Sequence, residues 1–412
     1  MHSRQEMIDD LMSCIEVFRE KNPQSKQIIT RSFYRSKGKI KEKDYEKEFG
    51  SFEAFKNAID IAQSKVIEST KKVRQYTEEI AQLKRENEYL LKHSIREDGL
   101  IELYKTVLHQ EFKYPIDTKR KDTSSNKDFV LNFCDLHLGE VVKLEEVSGA
   151  NEFNKIIAIQ RMDNLFAKLI KYANKIVVRD LYLEINGDLF HGGIHLENVR
   201  NSDINEVEAI FYLQRYLIPK LSELSNYFDH IYVDVIVGNH SRILPGKPYF
   251  KEKVSMNYEY IFGKQLKMYF DLLSEEKKNS KIFINVAESP FIIRQVRNTK
   301  FLVTHGDILT GAGSGGFAGI PFYSICMSSA KLYGVLHQIG MHETNQFDFI
   351  LHGHLHTTCK TPLFNGNYAY GSGCICGTNE FSLYKTRSVA RKEQLVLIVD
   401  EEGIDGEINI RL

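Results

Sequence analysis

Hydrophobic and polar positions divide the chain into three textures. In residues 1–58, Ile8, Leu11, Ile15 and Phe18 recur at spacings of three and four, the stripe of an amphipathic helix. Asn22-Pro23 should end that helix, and Phe49-Gly50-Ser51-Phe52-Glu53-Ala54-Phe55 predicts a turn into another, with Ser51 as its N-cap. Residues 59–110 are strongly polar but carry two seven-residue tracks. Val66, Val73, Ile80 and Asn87 form one; Tyr76, Leu83 and Leu90 form the other, offset by three. This is an a/d seam, with Asn87 at an a position where a buried amide fixes register at some cost in stability. It predicts a long coiled-coil helix and, through it, a homodimer; a helix folded back on its own catalytic domain would leave the same pattern. From residue 125 to 412 the pattern changes again. Short apolar runs at 129–133, 181–185, 230–237, 300–303 and 347–351 alternate with helical patterns at 161–172 and 206–224, as in a layered α/β domain.

Composition narrows the classes without choosing among them. The 412 residues are 42% hydrophobic and 27% charged, ordinary for a globular chain. No run of 18 apolar residues is present, so no membrane span is expected. The first ten residues lack a signal-peptide core, which points to the cytoplasm. Net charge is zero, so attraction to a polyanion has to be local. One local excess exists: nine Lys/Arg against five Asp/Glu between Lys26 and Lys56. The six cysteines contain no C-x-x-C pair and suggest neither a disulfide framework nor structural zinc; Gly371-Ser-Gly-Cys374-Ile-Cys376-Gly reads as a buried strand.

Every apolar run of the third segment ends in metal-ligand residue types. The clusters are Asp135-Leu-His137, Gly187-Asp188-Leu-Phe-His191, Gly238-Asn239-His240, His305-Gly-Asp307 and Gly353-His354-Leu-His356. Ligands at the carboxyl ends of successive strands converge on one edge of a sheet. Any one of these motifs alone is weak; five in series are not. The donors are carboxylate, imidazole and one amide, with no thiolate, which suits divalent manganese, iron or zinc. Seven ligands exceed one tetrahedral site and fit two metals sharing a carboxylate, on the order of 3.5–4 Å apart.

These five blocks, in this order, resemble the signature of calcineurin-like metallophosphoesterases. The resemblance covers roughly residues 128–400 and implies a β-sandwich flanked by helices. It also implies roles. Asp135, His137 and His356 would bind one metal, and Asn239, His305 and His354 the other, with Asp188 bridging. His240 would touch the scissile phosphate and act as general acid. Two departures stand out. His191 replaces a second acid three residues after the bridging Asp, and Ser241 replaces the acid that often follows Gly-Asn-His, leaving open what orients His240. Gly187-Asp-Leu-Phe-His191 resembles the block in the nuclease subunit that partners coiled-coil ATPases in double-strand-break repair, which implies DNA as substrate and a catalytic place for His191 near the phosphate. The remaining layout looks more like the standalone phosphoesterases of phages and mobile elements, with no ATPase partner indicated. Residues 29–55 are similar to the short helix-turn-helix repeats beside homing endonucleases, which implies that module 1–58 binds DNA.

The combined expectation is a manganese-dependent nuclease on DNA, of exonuclease type. The rivals are a phosphomonoesterase or small-molecule phosphodiesterase, and a non-catalytic scaffold. Gly311–Gly319 is glycine-rich but lacks the Lys-Ser/Thr of a phosphate-cradling loop, and is expected to lie near the active site. His195, Arg200 and Arg242 follow metal motifs and are candidates to contact a substrate backbone.

Overall fold

The computed structural model describes residues 3–24, 29–57, 82, 84, 125–194, 196–244, 250–277, 281–309, 320–339 and 346–412. The predicted coiled coil apart from residues 82 and 84, the predicted Gly311–Gly319 loop and His195 lie outside these. Two compact units divide the chain, residues 1–92 and 93–412.

In the first unit the local signals act as read. Helix α1 (Arg4–Lys21) opens with a capping box, Ser3 Oγ accepting from the Glu6 N–H and Glu6 accepting from the Ser3 N–H, and closes at Asn22. Helices α2 (Arg31–Lys37) and α3 (Glu42–Phe49) follow, and Ser51 caps a last helical run at 52–57. Their inward faces make a core of Leu11, Tyr34, Tyr45 and Phe55, with Tyr45 and Phe55 stacked 5.0 Å apart. Asp10 ties the turn to that core, accepting from Tyr34 Oη at 2.8 Å and from the Ile40 N–H at 3.1 Å.

The second unit is the two-sheet, helix-flanked α/β sandwich expected of a calcineurin-like fold. A six-stranded sheet runs β11-β10-β1-β2-β3-β4 and a five-stranded one β5-β6-β7-β9-β8. The strands are β1 (Asp128–Phe133), β2 (Leu181–Asn186), β3 (Ile231–Ile236), β4 (Ile282–Val286), β5 (Phe291–Val296), β6 (Thr299–Thr304), β7 (Phe349–His352), β8 (Cys359–Pro362), β9 (Tyr368–Gly371), β10 (Glu393–Asp400) and β11 (Gly403–Arg411). All five predicted apolar runs are strands. β1 through β4 are mutually parallel, as are β6, β7 and β9, so their carboxyl ends gather at common edges.

Alternation explains the layering. Phe129, Leu131 and Phe133 face helices α4 (Lys155–Ile176), α6 (Glu206–Leu224) and α7 (Tyr258–Lys277), whereas Val130 packs with Val303 and Leu351 between the sheets. A short α5 (Leu196–Arg200) precedes α6. Helix α8 (Phe322–Gln338) covers the outer face of the second sheet through Ile325 and Leu336. Near the strand ends the between-sheet residues turn polar. Asn132 Nδ2 donates to the His352 carbonyl at 2.9 Å, and Asn186 Nδ2 to Asn132 Oδ1 at 3.1 Å and the Leu351 carbonyl at 3.2 Å. That ladder clamps β1, β2 and β7 together directly beneath the ligand-bearing loops.

The segment expected to be a strand through Cys374 and Cys376 is buried but irregular, with only an isolated bridge at Cys374. Glycines on both sides remove the side chains a strand packs with, and the N–H groups of Cys374 and Ile375 instead donate to the Arg391 and Asp135 carbonyls at 3.1 and 2.9 Å.

Candidate metal centre

Loops leaving β1, β2, β3, β6 and β7 bring the predicted residues together. Asp135, His137 and Asp188 offer ligand atoms mutually within 4.8 Å, and so do Asp188, His305 and His354. Asp188 is common to both groups. Its Oδ2 lies 2.9 Å from His305 Nε2 on one side and 3.9 Å from His137 Nε2 on the other. His356 joins the first group, its Nε2 3.3 Å from Asp135 Oδ1 and 3.0 Å from His137 Nε2.

The backbone bends to do this. Half of the ten non-glycine residues with positive φ among the described residues are predicted ligands: Asp135, His137, Asp188, His354 and His356. Each such residue costs on the order of 1–3 kcal/mol and persists only where surrounding structure holds it. Glycines make the crowding possible at two points. A Cβ on Gly238 would collide with the Asp188 carboxylate, and Gly187, at φ +80°, would put one 2.6 Å from His305 Nδ1.

Electrostatics and hydrogen bonding both point to bound cations. Burial opposes ionisation of Asp188, yet His305 and His240 hold its pKa well below the ordinary carboxylate value. Burial likewise opposes protonation of His305, but the Asp188 carboxylate overrides it and lifts the pKa to about 10. The attraction that holds a proton on His305 would equally hold a divalent ion. His305 Nδ1 donates to the Asn186 carbonyl at 2.9 Å, which leaves the Nε2 lone pair for a metal. Asn239 Oδ1, His191 Nδ1 and His305 Nε2 are buried with no hydrogen-bond partner. His305 Nε2 does face the Asp188 carboxylate, at 2.9 Å. Orphaned buried groups cost about 1–3 kcal/mol each, a cost that a cation or a phosphate oxygen would remove. The donor set fits two divalent ions.

His240 and His191 stand beside the first group, the His240 ring centroid 4.5 Å from that of His137 and the His191 ring 6.2 Å from both. The missing acid after Gly-Asn-His has two substitutes. His240 Nδ1 donates to the His191 carbonyl at 3.0 Å, so a backbone oxygen orients the imidazole, and Asn198 Nδ2 braces the same carbonyl at 3.3 Å. Ser241 instead donates to Glu259 Oε1 at 2.6 Å. Glu259 also accepts from the Leu189 N–H at 2.6 Å and the Gly238 N–H at 2.5 Å, pinning the loops that carry Asp188 and Asn239. Burial, then the nearby Asp188, raises Glu259 to about 7.

Sequence reasoning missed Glu259, Asn198 and Cys376. Cys376 Sγ lies 3.8 Å from His356 Nδ1 and forms a further potential ligand group with His137 and His356. The only sequence signal for Cys376 was the glycine-dense stretch around it; Glu259 had none, sitting 18 residues after the serine it serves. Of the guessed substrate contacts, Arg200 is exposed and Arg242 bridges to Asn257 through its backbone. An ion pair of 2.5 Å between Lys253 and Asp307 joins the loop after His240 to the His305 loop.

No family model matches the chain. No curated protein matches it either. Among solved structures, an archaeal phosphodiesterase is 15% identical over 69% of this chain and 99% of its own, with a TM-score of 0.27. Zinc-complexed Vps29 from Entamoeba histolytica is 9% identical over 69% and 99%, at 0.29. The E. coli phosphoesterase Yfce is 12% identical over 69% and 100%, at 0.28. At those scores no activity passes from them to this chain. Among the described residues, no helix is long and apolar enough to cross a membrane.

Proposed function

We propose that the chain is a two-metal phosphodiesterase that hydrolyses DNA, a nuclease of exonuclease type with manganese as its metal. The observation that carries the metal part is the sharing of Asp188 between two ligand groups. Asp135, His137, Asp188 and His356 would hold one ion; Asp188, Asn239, His305 and His354 would hold the other. When bound, such ions supply Lewis acidity toward phosphoryl oxygens and water.

The protein's own groups do the rest. With Nδ1 of His240 committed to a carbonyl, Nε2 is the atom that can carry a proton to the leaving oxygen. Burial lowers the pKa of His240, so the free imidazole is neutral at pH 7; a phosphodiester anion beside it favours the protonated form. His191 is held down to about 3 by burial and then by His240. It therefore contributes no charge, and its unpartnered Nδ1 is suited to one hydrogen bond with a phosphate oxygen.

DNA as the substrate is supported by the Gly187-Asp-Leu-Phe-His191 wording and by the N-terminal unit. There Lys37, Lys39, Lys41, Lys43 and Lys47 are exposed on a helical module. Arg31 and Arg35 are not available in the same way, being paired with Glu42 and Glu46. The 59–110 helix would dimerise the enzyme in the cytoplasm and present two sites to a duplex end.

The test is cleavage of end-labelled single- and double-stranded DNA with manganese, beside an aryl phosphodiester, for wild type and His240→Ala. Loss of DNA cleavage in the variant, with metal content retained, supports the reading. Hydrolysis of the aryl ester or of a phosphomonoester alone would remove the nuclease assignment, and no hydrolysis by metal-loaded protein would favour a scaffold.

A further inference from the structure

A surface element beside the metal centre has no part in the chemistry above. After Cys376 the chain forms a π-helix, Phe381–Thr386, ending at Arg387 in the left-handed region at φ 55°. Such helices are rare and recur at functional sites. Both flanks of this one are fastened to metal-ligand loops. Asn379 Nδ2 donates to Glu140 Oε1 at 2.6 Å, and the Glu140 N–H donates to the His137 carbonyl at 2.9 Å. On the far side the Arg391 N–H reaches the His356 carbonyl at 3.3 Å. The element is therefore a rim of the site, held by the residues that carry the ligands.

What the rim shows to solvent is unusual for a structural turn. Phe381 is 65% exposed and Tyr384 60% exposed. Burying either ring in the protein would have been favourable by roughly 1.5–3 kcal/mol; Phe381 stays in solvent, and Tyr384 is fixed by its hydroxyl, which donates to the Glu146 carbonyl at 2.9 Å and leaves the ring face open. Beyond them Lys385, Arg387 and Arg391 are exposed. Residues 379–392 hold four cations (Lys385, Arg387, Arg391 and Lys392) against one anion, Glu380, in a chain of zero net charge. Arg391 has a loose 3.9 Å partner in Glu393, and the nearby Glu146 is already paired with Lys143 at 3.1 Å. Exposed rings followed at once by exposed cations match a chain of flat bases on an anionic backbone.

We infer that this rim is the docking platform for the single-stranded end of a nucleic-acid substrate, Phe381 and Tyr384 stacking on bases while Lys385, Arg387 and Arg391 meet phosphates. The inference rests on the nuclease reading and gives it a substrate class. Paired bases in a duplex already stack on one another and offer no free face to these rings, so a strand must be unpaired where it crosses the rim.

The chain contains no tryptophan, which makes a direct test available. In the full-length, manganese-loaded protein, Phe381→Trp gives a single indole whose fluorescence a stacked base quenches. A short phosphorothioate oligodeoxythymidine, resistant to hydrolysis, should quench it saturably, and blunt duplex of equal length should not. Adding Lys385→Glu and Arg387→Glu should weaken the quenching titration about tenfold and flatten its salt dependence. An oligouridine arm tells DNA from RNA. If ordinary oligodeoxythymidine is cleaved but no quenching occurs, or duplex quenches equally, the platform is wrong and the nuclease reading stands. If the oligonucleotide is neither cleaved nor quenching while an aryl phosphodiester is hydrolysed, the nuclease reading falls and takes the platform with it.

Discussion

The N-terminal helical unit and the metal centre obey opposite rules. In the first, α1 and α2 open on capping side chains, the buried rings stack, Asp10 is satisfied by a hydroxyl and a turn, and among the described residues one buried side-chain polar atom, Tyr45 Oη, lacks a hydrogen bond. In the second, five ligand candidates sit at positive φ, three buried polar atoms have no hydrogen-bond partner, and two carboxylates are buried among imidazoles. The first region is arranged for its own stability. The second holds strain and unsatisfied groups that only bound species could relieve, and the Glu259 clamp and the Asn132–Asn186 ladder are what hold it in place.

This comparison can be broken in both regions. The largest effect is expected from Asp188→Asn, which removes the shared carboxylate from both ligand groups. Metal analysis should find both ions lost or weakly held, and phosphodiester hydrolysis should fall by about a thousandfold or more, in line with loss of transition-state charge stabilisation. Retention of two tightly bound ions would show that Asp188 does not bridge. Next is Tyr45→Ala, which opens the fully buried centre of the first core. It should cost that unit about 3–5 kcal/mol in denaturant unfolding, while aryl-ester hydrolysis by the full chain stays as in wild type. A parallel loss of hydrolysis would deny the independence of the two regions.

Glu259→Gln is smaller and sharper. An amide offers one acceptor oxygen where the carboxylate serves three donors, so about 1–3 kcal/mol of stability should go. Because the strained loops loosen, metal affinity and kcat should drop together, and excess manganese should restore part of the rate. The smallest effect concerns Glu42, held at about 2 mainly by the side-chain hydrogen bond from Arg35. Its pKa is depressed, so its contribution is present above the unfolded value of about 4.3 and is lost as pH falls toward 2. The pair lies at the surface with Glu42 partly exposed, and Glu42→Gln should only slightly flatten the acid limb of the N-terminal unit's unfolding curve; a large change would mean that this pair contributes more than surface ion pairs do.

Much of this was legible in the sequence, and the reasons differ by region. Strands bearing the ligands read clearly because each is an apolar run ending in a polar, glycine-flanked cluster, as in Leu181–Asn186 followed by Gly187-Asp188. The first unit read clearly because caps such as Ser51 act within four residues. What escaped were partners that meet only through the fold. Glu259 looks like any helix-start acid until α7 brings it to the loops after β2 and β3. β4, β5, β8, β9, β10 and β11 also escaped: β5 and β8 have partial, irregular burial with little period-two contrast, whereas the alternation of β4 and the apolar run of β10 carry no ligand cluster to draw notice. Cys376 was assigned to a strand because buried small residues look alike in one dimension, although the chain there bends to bring its thiol toward His356.

The most direct test of the central claim is anomalous diffraction from crystals of the full chain grown with manganese. The account predicts two manganese peaks per chain, about 3.5–4 Å apart, on either side of Asp188, one bounded by Asp135, His137 and His356 and the other by Asn239, His305 and His354. A single peak, or metal held only by His137, His356 and Cys376, would contradict it.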